Sequence, residues 1–312
     1  MRLDDLPESG NVEDRRAEGY GGGGGFGIPI GGGGLSIGAI VALGLIGWAL
    51  GIDPSLLIGG AEILTGPGRP QVQAPPSARR TGTPQDQMGR FVSKVLGSTE
   101  LQWKQVFASD GKIYRPPVLV LYRGATHASC GGEAQSAMGP FYCPTDRKVY
   151  LDTSFFDQIA TRFHGCDVGS KACQFSQAYV IAHEVGHHVQ NLLGILPKAQ
   201  QAQAAAGSRA AANHIQVQVE LQADCFAGVW ANRENETLRS EGRPSFIEPG
   251  DVEAALRTAA AIGDDTLQKR ARGYAVPDSF THGTSEQRQR WFNAGFRSGS
   301  LSSCNTFAAA QL

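Results

Sequence analysis

The chain has almost no charge surplus: 28 lysines and arginines stand against 29 aspartates and glutamates in 312 residues, a formal net charge of −1. Without a basic excess there is no broad electrostatic attraction to phosphate backbones, so nucleic acid is not an expected partner. Internal repeats are absent, which argues against solenoids and propellers. No two cysteines have the C-x₂₋₄-C spacing of a structural zinc knuckle. Long hydrophobic runs are almost lacking too; a single charge-free run reaches from Leu35 to Ile52. Histidine is scarce, with seven in the whole chain, and that scarcity gives weight to where they fall.

Two of them lie in His183-Glu184-Val185-Gly186-His187. At this composition H-E-x-x-H arises by chance about 0.01 times per chain. On an α-helix the i and i+4 side chains share a face, so both imidazoles can reach one metal ion while Glu184 flanks the remaining coordination site. The flanking residues support the helix: Ala178, Ile181, Ala182, Val185, Val189, Leu192 and Leu193 form an apolar stripe, and Gly194 and Pro197 are stop signals. The other reading, two partly exposed histidines on a surface helix, leaves the spacing unexplained.

A catalytic zinc usually takes three protein donors and keeps a fourth position for water. In Val219-Glu220-Leu221-Gln222-Ala223-Asp224, Glu220 and Asp224 are again four apart, on a second helix expected from Arg209 to Asn232. Glu220 is the candidate third ligand. Asp224 is placed to accept the N–H of a ligating imidazole, fixing its tautomer. An acidic i, i+4 pair alone is usually solvated surface, but this one sits among Val217, Leu221, Ala223 and Phe226.

Three segments together, Ala137 to Pro144, Ala178 to Gln190, and Glu220 to Trp230, resemble the neutral zinc metallopeptidase family, the YpfJ-like proteins of bacteria. Asn11-Val12-Glu13-Asp14-Arg15-Arg16 and Thr281-His282-Gly283-Thr284-Ser285-Glu286-Gln287-Arg288 are similar to the family's two ends, so the resemblance spans nearly the whole chain. It implies a membrane-anchored zincin with Glu220, the glutamate of the E-x-x-A-D motif, as third ligand. His282, before the last helix, is the candidate for stabilising the oxyanion, since it resembles the histidine near the end of other membrane zincins; a turn histidine with no chemical task is the alternative. Arg288 is read the same two ways. His188 points roughly 100° away from His187 and reads as a packing residue. His127, His164 and His214 carry no motif.

Four regions are expected along the chain. Residues 1–34, with glycine runs at Gly21 to Gly25 and Gly31 to Gly34, read as a disordered tail. Residues 35–58 contain the charge-free run, about 18 residues long, near the lower limit for a transmembrane helix. Its competitors are a signal peptide and a soluble helix. Gly34/Gly38 and Gly47/Gly51 have the small-x-x-x-small spacing that lets two anchors pair as a homodimer. Residues 59–84 carry Pro67, Pro70, Pro75, Pro76 and Pro84 and read as a spacer. Residues 85–312 are expected to form an α+β, mostly helical zincin-like metalloprotease domain. Its small β part comprises Val118 to Arg123 and a hairpin of Phe141 to Cys143 with Lys148 to Leu151.

All six cysteines lie after the charge-free run. Paired as Cys130–Cys143, Cys166–Cys173 and Cys225–Cys304, one of many connectivities, they suit an oxidising compartment. The expected localisation is therefore a single-pass protein of the bacterial cell membrane with an extracytoplasmic catalytic domain. The expected activity is a zinc-dependent endopeptidase with one Zn²⁺ and Glu184 as general base, acting on peptide or unfolded-protein substrate. A zinc-stabilised scaffold domain and an amidase on cell-wall peptides are the alternatives.

Overall fold

Val118–Tyr122 (β3) reads V-L-V-L-Y, an uninterrupted apolar run that suits a strand covered on both faces. In the computed structural model, which describes residues 1–3, 6–18, 80–130, 132–167 and 170–312, this strand is central to a five-stranded sheet. With β1 Val12–Asp14, β2 Arg80–Thr81, β6 Phe141–Cys143 and β7 Lys148–Asp152, the order is β2-β1-β3-β7-β6. β3 runs parallel to both β1 and β7, while the outer pairings are antiparallel. Side-chain alternation splits the sheet residues between two cores. Leu119, Leu121, Val149 and Leu151 face the helices, whereas Val120, Tyr122 and Tyr150 pack with Ala128 and Ala134. Those two alanines belong to a separate hairpin, β4 Ala125–Ala128 with β5 Gly132–Gln135.

β1 corrects the expectation that residues 1–34 begin as a disordered tail. Met1, Leu6 and Val12 are in the main core, and the charges beside them are paired rather than solvated. Arg15, 5% exposed, donates to Glu13 at 2.9 Å, Thr126 Oγ1 at 3.1 Å and the His127 carbonyl at 2.9 Å. Lys148 closes on the second Glu13 oxygen at 2.7 Å, and Arg16 grips Asp14 and Asp86. The described residues form one unit, Met1–Glu18 with Arg79–Leu312. The folded domain therefore includes two strands that precede residue 85.

Eight α-helices are described: α1 Gln87–Ser109, α2 Ser154–Thr161, α3 Lys171–Leu192, α4 Ile195–Ala204, α5 Arg209–Ser240, α6 Asp251–Ala261, α7 Asp264–Arg272 and α8 Ser285–Ser298. The class is α+β, mostly helical with a small mixed sheet. α1 runs on to Ser109 because Trp103, Val106 and Phe107 continue its buried face. Side-chain caps mark the starts: Asp86 accepts from Gly89, Ser170 from Cys173 and Ser208 from Ala211, while Thr284 and Gln287 form a capping box on α8. The three disulfides are Cys130–Cys143, Cys166–Cys173 and Cys225–Cys304.

The expected single-pass membrane localisation is not supported: among the described residues, no helix is long and apolar enough to cross a membrane. The long helices α3 and α5 carry buried His, Glu, Gln and Asp side chains instead of a continuous apolar surface. Residues 35–58, the glycine runs and the spacer up to residue 79 lie outside the described residues.

Candidate metal centre

α3 is buried around much of its circumference, and α5 packs against it where one residue is too small to keep them apart. A Cβ on Gly186 would lie 3.0 Å from the Ala223 carbonyl oxygen. The glycine of the H-E-x-G-H sequence thus permits the approach that brings Glu220 to the histidines. Glu220 Oε2 lies 3.2 Å from His183 Nε2 and 3.5 Å from His187 Nε2. The three donor atoms are all within 4.8 Å of one another. Each imidazole offers Nε2 to this point and engages a different partner through Nδ1, so two nitrogens and one carboxylate oxygen converge as a divalent metal ion requires. The donor set fits zinc.

Asp224 stands behind His183, its Oδ1 2.8 Å from Nδ1. This carboxylate is fully buried, yet it is ionised: burial pushes its pKa up, but the Arg288 guanidinium and His183 outweigh that and hold it well below the usual range. Arg288 donates from Nε at 2.8 Å and Nη2 at 2.9 Å to the two oxygens, and Tyr179 donates its hydroxyl to Oδ1. Glu220 Oε1 accepts from Gln216 at 2.8 Å, leaving Oε2 to the imidazoles. Desolvation opposes its charge, and His187 and His183 overcome that, so its pKa also falls.

Glu184 differs from both. It is 7% exposed, and its carboxylate makes no hydrogen bond among the described residues. Burial pushes its pKa up against the pull of His183 and His187. It lines a groove of about 520 Å³ together with the three donors, His282 and Arg288. Met138, Pro140, Phe141, Phe155 and Phe163 supply an apolar wall, and Gln200, Gln203 and Gln216 a polar one.

His282 is on the rim of this groove, with its side chain 47% exposed. Asp264 Oδ2 accepts the backbone N–H of Thr281 at 2.6 Å, of His282 at 2.5 Å and of Gly283 at 3.2 Å, and its Oδ1 lies 3.3 Å from His282 Nδ1. The loop is held by one buried carboxylate. His188 turns away, accepting from the Tyr142 hydroxyl at 3.0 Å and donating to the Arg115 carbonyl at 2.7 Å. Tyr179, Gln190, Gln216 and Asp264 were not singled out by motif. Tyr179 and Gln190 lie four residues before His183 and three after His187, and Gln216 four before Glu220, so helical spacing alone is the signal that finds them. Asp264 has none.

A mostly helical α+β fold with a His, His, Glu donor cluster lining a groove has the form of a metal-binding protein. The profile of the family described as "Putative neutral zinc metallopeptidase" matches residues 1–307, and the chain belongs to that family. It is 47% identical to protein YpfJ of Escherichia coli (strain K12) over 310 residues, which is 98% of this chain and 99% of YpfJ. It is also 43% identical to protein Rv2575 of Mycobacterium tuberculosis (strain ATCC 25618 / H37Rv) over 219 residues, 69% of each chain. No solved structure matches this chain.

Proposed function

We propose that this protein is a zinc-dependent endopeptidase that cleaves peptide or unfolded-protein segments, with one Zn²⁺ held by His183, His187 and Glu220 and with Glu184 as general base. The observation that carries the reading is the contrast between the carboxylates: Glu220 and Asp224 are fully engaged, while Glu184 is buried beside the donors and makes no hydrogen bond among the described residues. When bound there, zinc supplies Lewis acidity toward a carbonyl and makes a water more acidic. Glu184, with a pKa raised by burial, takes a proton from the attacking water and returns it to the leaving amine. Asp224 fixes His183 with Nδ1 protonated and Nε2 free. Asp264 orients His282; burial pushes the pKa of this ring down, but Asp264 and Glu220 outweigh that and raise it. This favours the imidazolium form, whose second N–H is the donor to the developing oxyanion, a contribution on the order of 3 kcal/mol in comparable sites.

The groove suits an extended chain with bulky apolar side chains, because among the described residues its charged lining belongs to the metal centre and its rim. A scaffold domain would have no use for Glu184. The test is zinc content and peptide-library cleavage by the full chain and by Glu184→Gln. The variant is expected to keep its zinc and lose cleavage by at least 10²-fold, on the order of 10²–10⁴. Unchanged cleavage refutes the base, and zinc loading without turnover by the parent protein favours the scaffold.

A further inference from the structure

The two histidines are held from behind by chemically different groups. Behind His183 is an ionised carboxylate fixed by an arginine. Behind His187 is a neutral amide, with Gln190 Oε1 2.9 Å from Nδ1. Which end of an amide faces a ring has to be decided from its other contacts. The Gln190 nitrogen donates to the Val219 carbonyl at 2.8 Å and to Gln222 Oε1 at 3.0 Å. A carbonyl oxygen only accepts, so the nitrogen belongs on that side and the oxygen faces His187. Gln222 is oriented the same way, since its nitrogen donates to the Cys304 carbonyl at 2.9 Å.

These bonds all run in one direction. His187 Nδ1–H donates to Gln190, Gln190 to Gln222, and Gln222 to a backbone carbonyl that has no proton to return. Gln190 and Cys304 are fully buried and Gln222 nearly so, which removes water as a substitute partner. Cys304 is itself held to Cys225, on the helix that carries Glu220. We propose that this one-way amide chain presets the tautomer of His187 that offers Nε2 to the metal, with Gln190 and Gln222 as positioning residues anchored on the Cys304 segment. The inference rests on the reading of His183, His187 and Glu220 as metal ligands.

The test uses the full chain and its Gln190→Met, Gln222→Met and double variants, which retain side-chain length and lose the hydrogen bonds. Zinc affinity is measured by chelator competition, and the ring N–H signals are read by proton NMR after Co²⁺ substitution. Gln190→Met is expected to weaken zinc binding about 10–100-fold. Gln222→Met should weaken it less, and the double variant no more than Gln190→Met alone, since contacting residues of one network are not additive. In the Co²⁺ protein, the exchangeable signal of His187 should broaden in both variants while that of His183 persists. Zinc affinity within about twofold of the parent for a folded Gln190→Met, or a double variant whose losses simply add, overturns the proposal. If Gln190→Met does not fold, Gln222→Met decides by the same NMR signal. A parent chain that takes up no zinc fails the metal-ligand reading itself, whereas normal uptake by all variants fails only this inference.

Discussion

Replacing Arg288 with methionine removes the cation from the most buried ion pair of the metal centre. Arg288 is 3% exposed and Asp224 fully buried, and the guanidinium meets both carboxylate oxygens. In the variant, Asp224 retains the Tyr179 hydroxyl and His183 but loses its compensating charge. Breaking a buried pair from one side costs about 3–5 kcal/mol. At about 2–4 °C per kcal/mol for a unit of this size, the melting temperature should fall by roughly 6–20 °C. Adding Asp224→Asn removes the stranded charge, so the double variant should lose less than the two single losses summed, with a coupling of about 0.5–3 kcal/mol. Thermal and urea unfolding of the metal-free chain measure both quantities. A shift of less than about 2 °C for Arg288→Met, together with strict additivity in the double variant, would refute the claim that this pair carries the charge of the site.

His188 gives a pH dependence of known sign. Desolvation pushes its pKa down to about 4, with the charge of Arg147 adding to this and the Arg115 carbonyl opposing it. Between that value and its ordinary 6.5 the unfolded chain takes up a proton that the folded chain refuses. Its contribution is therefore full above about pH 6.5 and is lost as pH falls toward 4, by up to ~3 kcal/mol. Urea unfolding at pH 7 and pH 5 should show a smaller difference for His188→Gln than for the parent; equal differences count against it. The Cys225–Cys304 disulfide spans 79 residues of sequence, and closing a loop of that length contributes about 4–5 kcal/mol in the chain-entropy account. A Cys225→Ala/Cys304→Ala variant should lose stability on that scale, and a loss under about 1 kcal/mol would show that the tail is held by its other contacts.

The parts of the site that were legible in the sequence are those written at helical spacing within one segment. His183, Glu184 and His187 fall within five consecutive residues, with the two histidines four apart, and Glu220 and Asp224 repeat that spacing. The cysteine pairing found in the structure is the one considered from the sequence, where it stood as one of many connectivities that six cysteines allow. What was not legible depends on partners far away. β1 is one valine and two acidic residues that make a strand only because Leu119 to Leu121 of β3 offers a ladder and Arg15 finds Thr126. Asp264 gathers the loop of His282 across 17 to 19 residues through backbone N–H groups, which no side-chain motif records. The Ala-rich stretch after Lys198 looks like one connecting helix, yet it breaks between Ala204 and Arg209, where Ser208 caps α5.

The ladder partners of β1 have a consequence for the order in which this protein is assembled. Glu13 pairs with Thr81 on one side and Val120 on the other, so during synthesis β1 must wait for more than a hundred later residues before its second neighbour exists. A shortened version beginning at Gln85 would not be a trimmed domain but a sheet with its central strand laid bare along one side, open to whatever stray strand met it first.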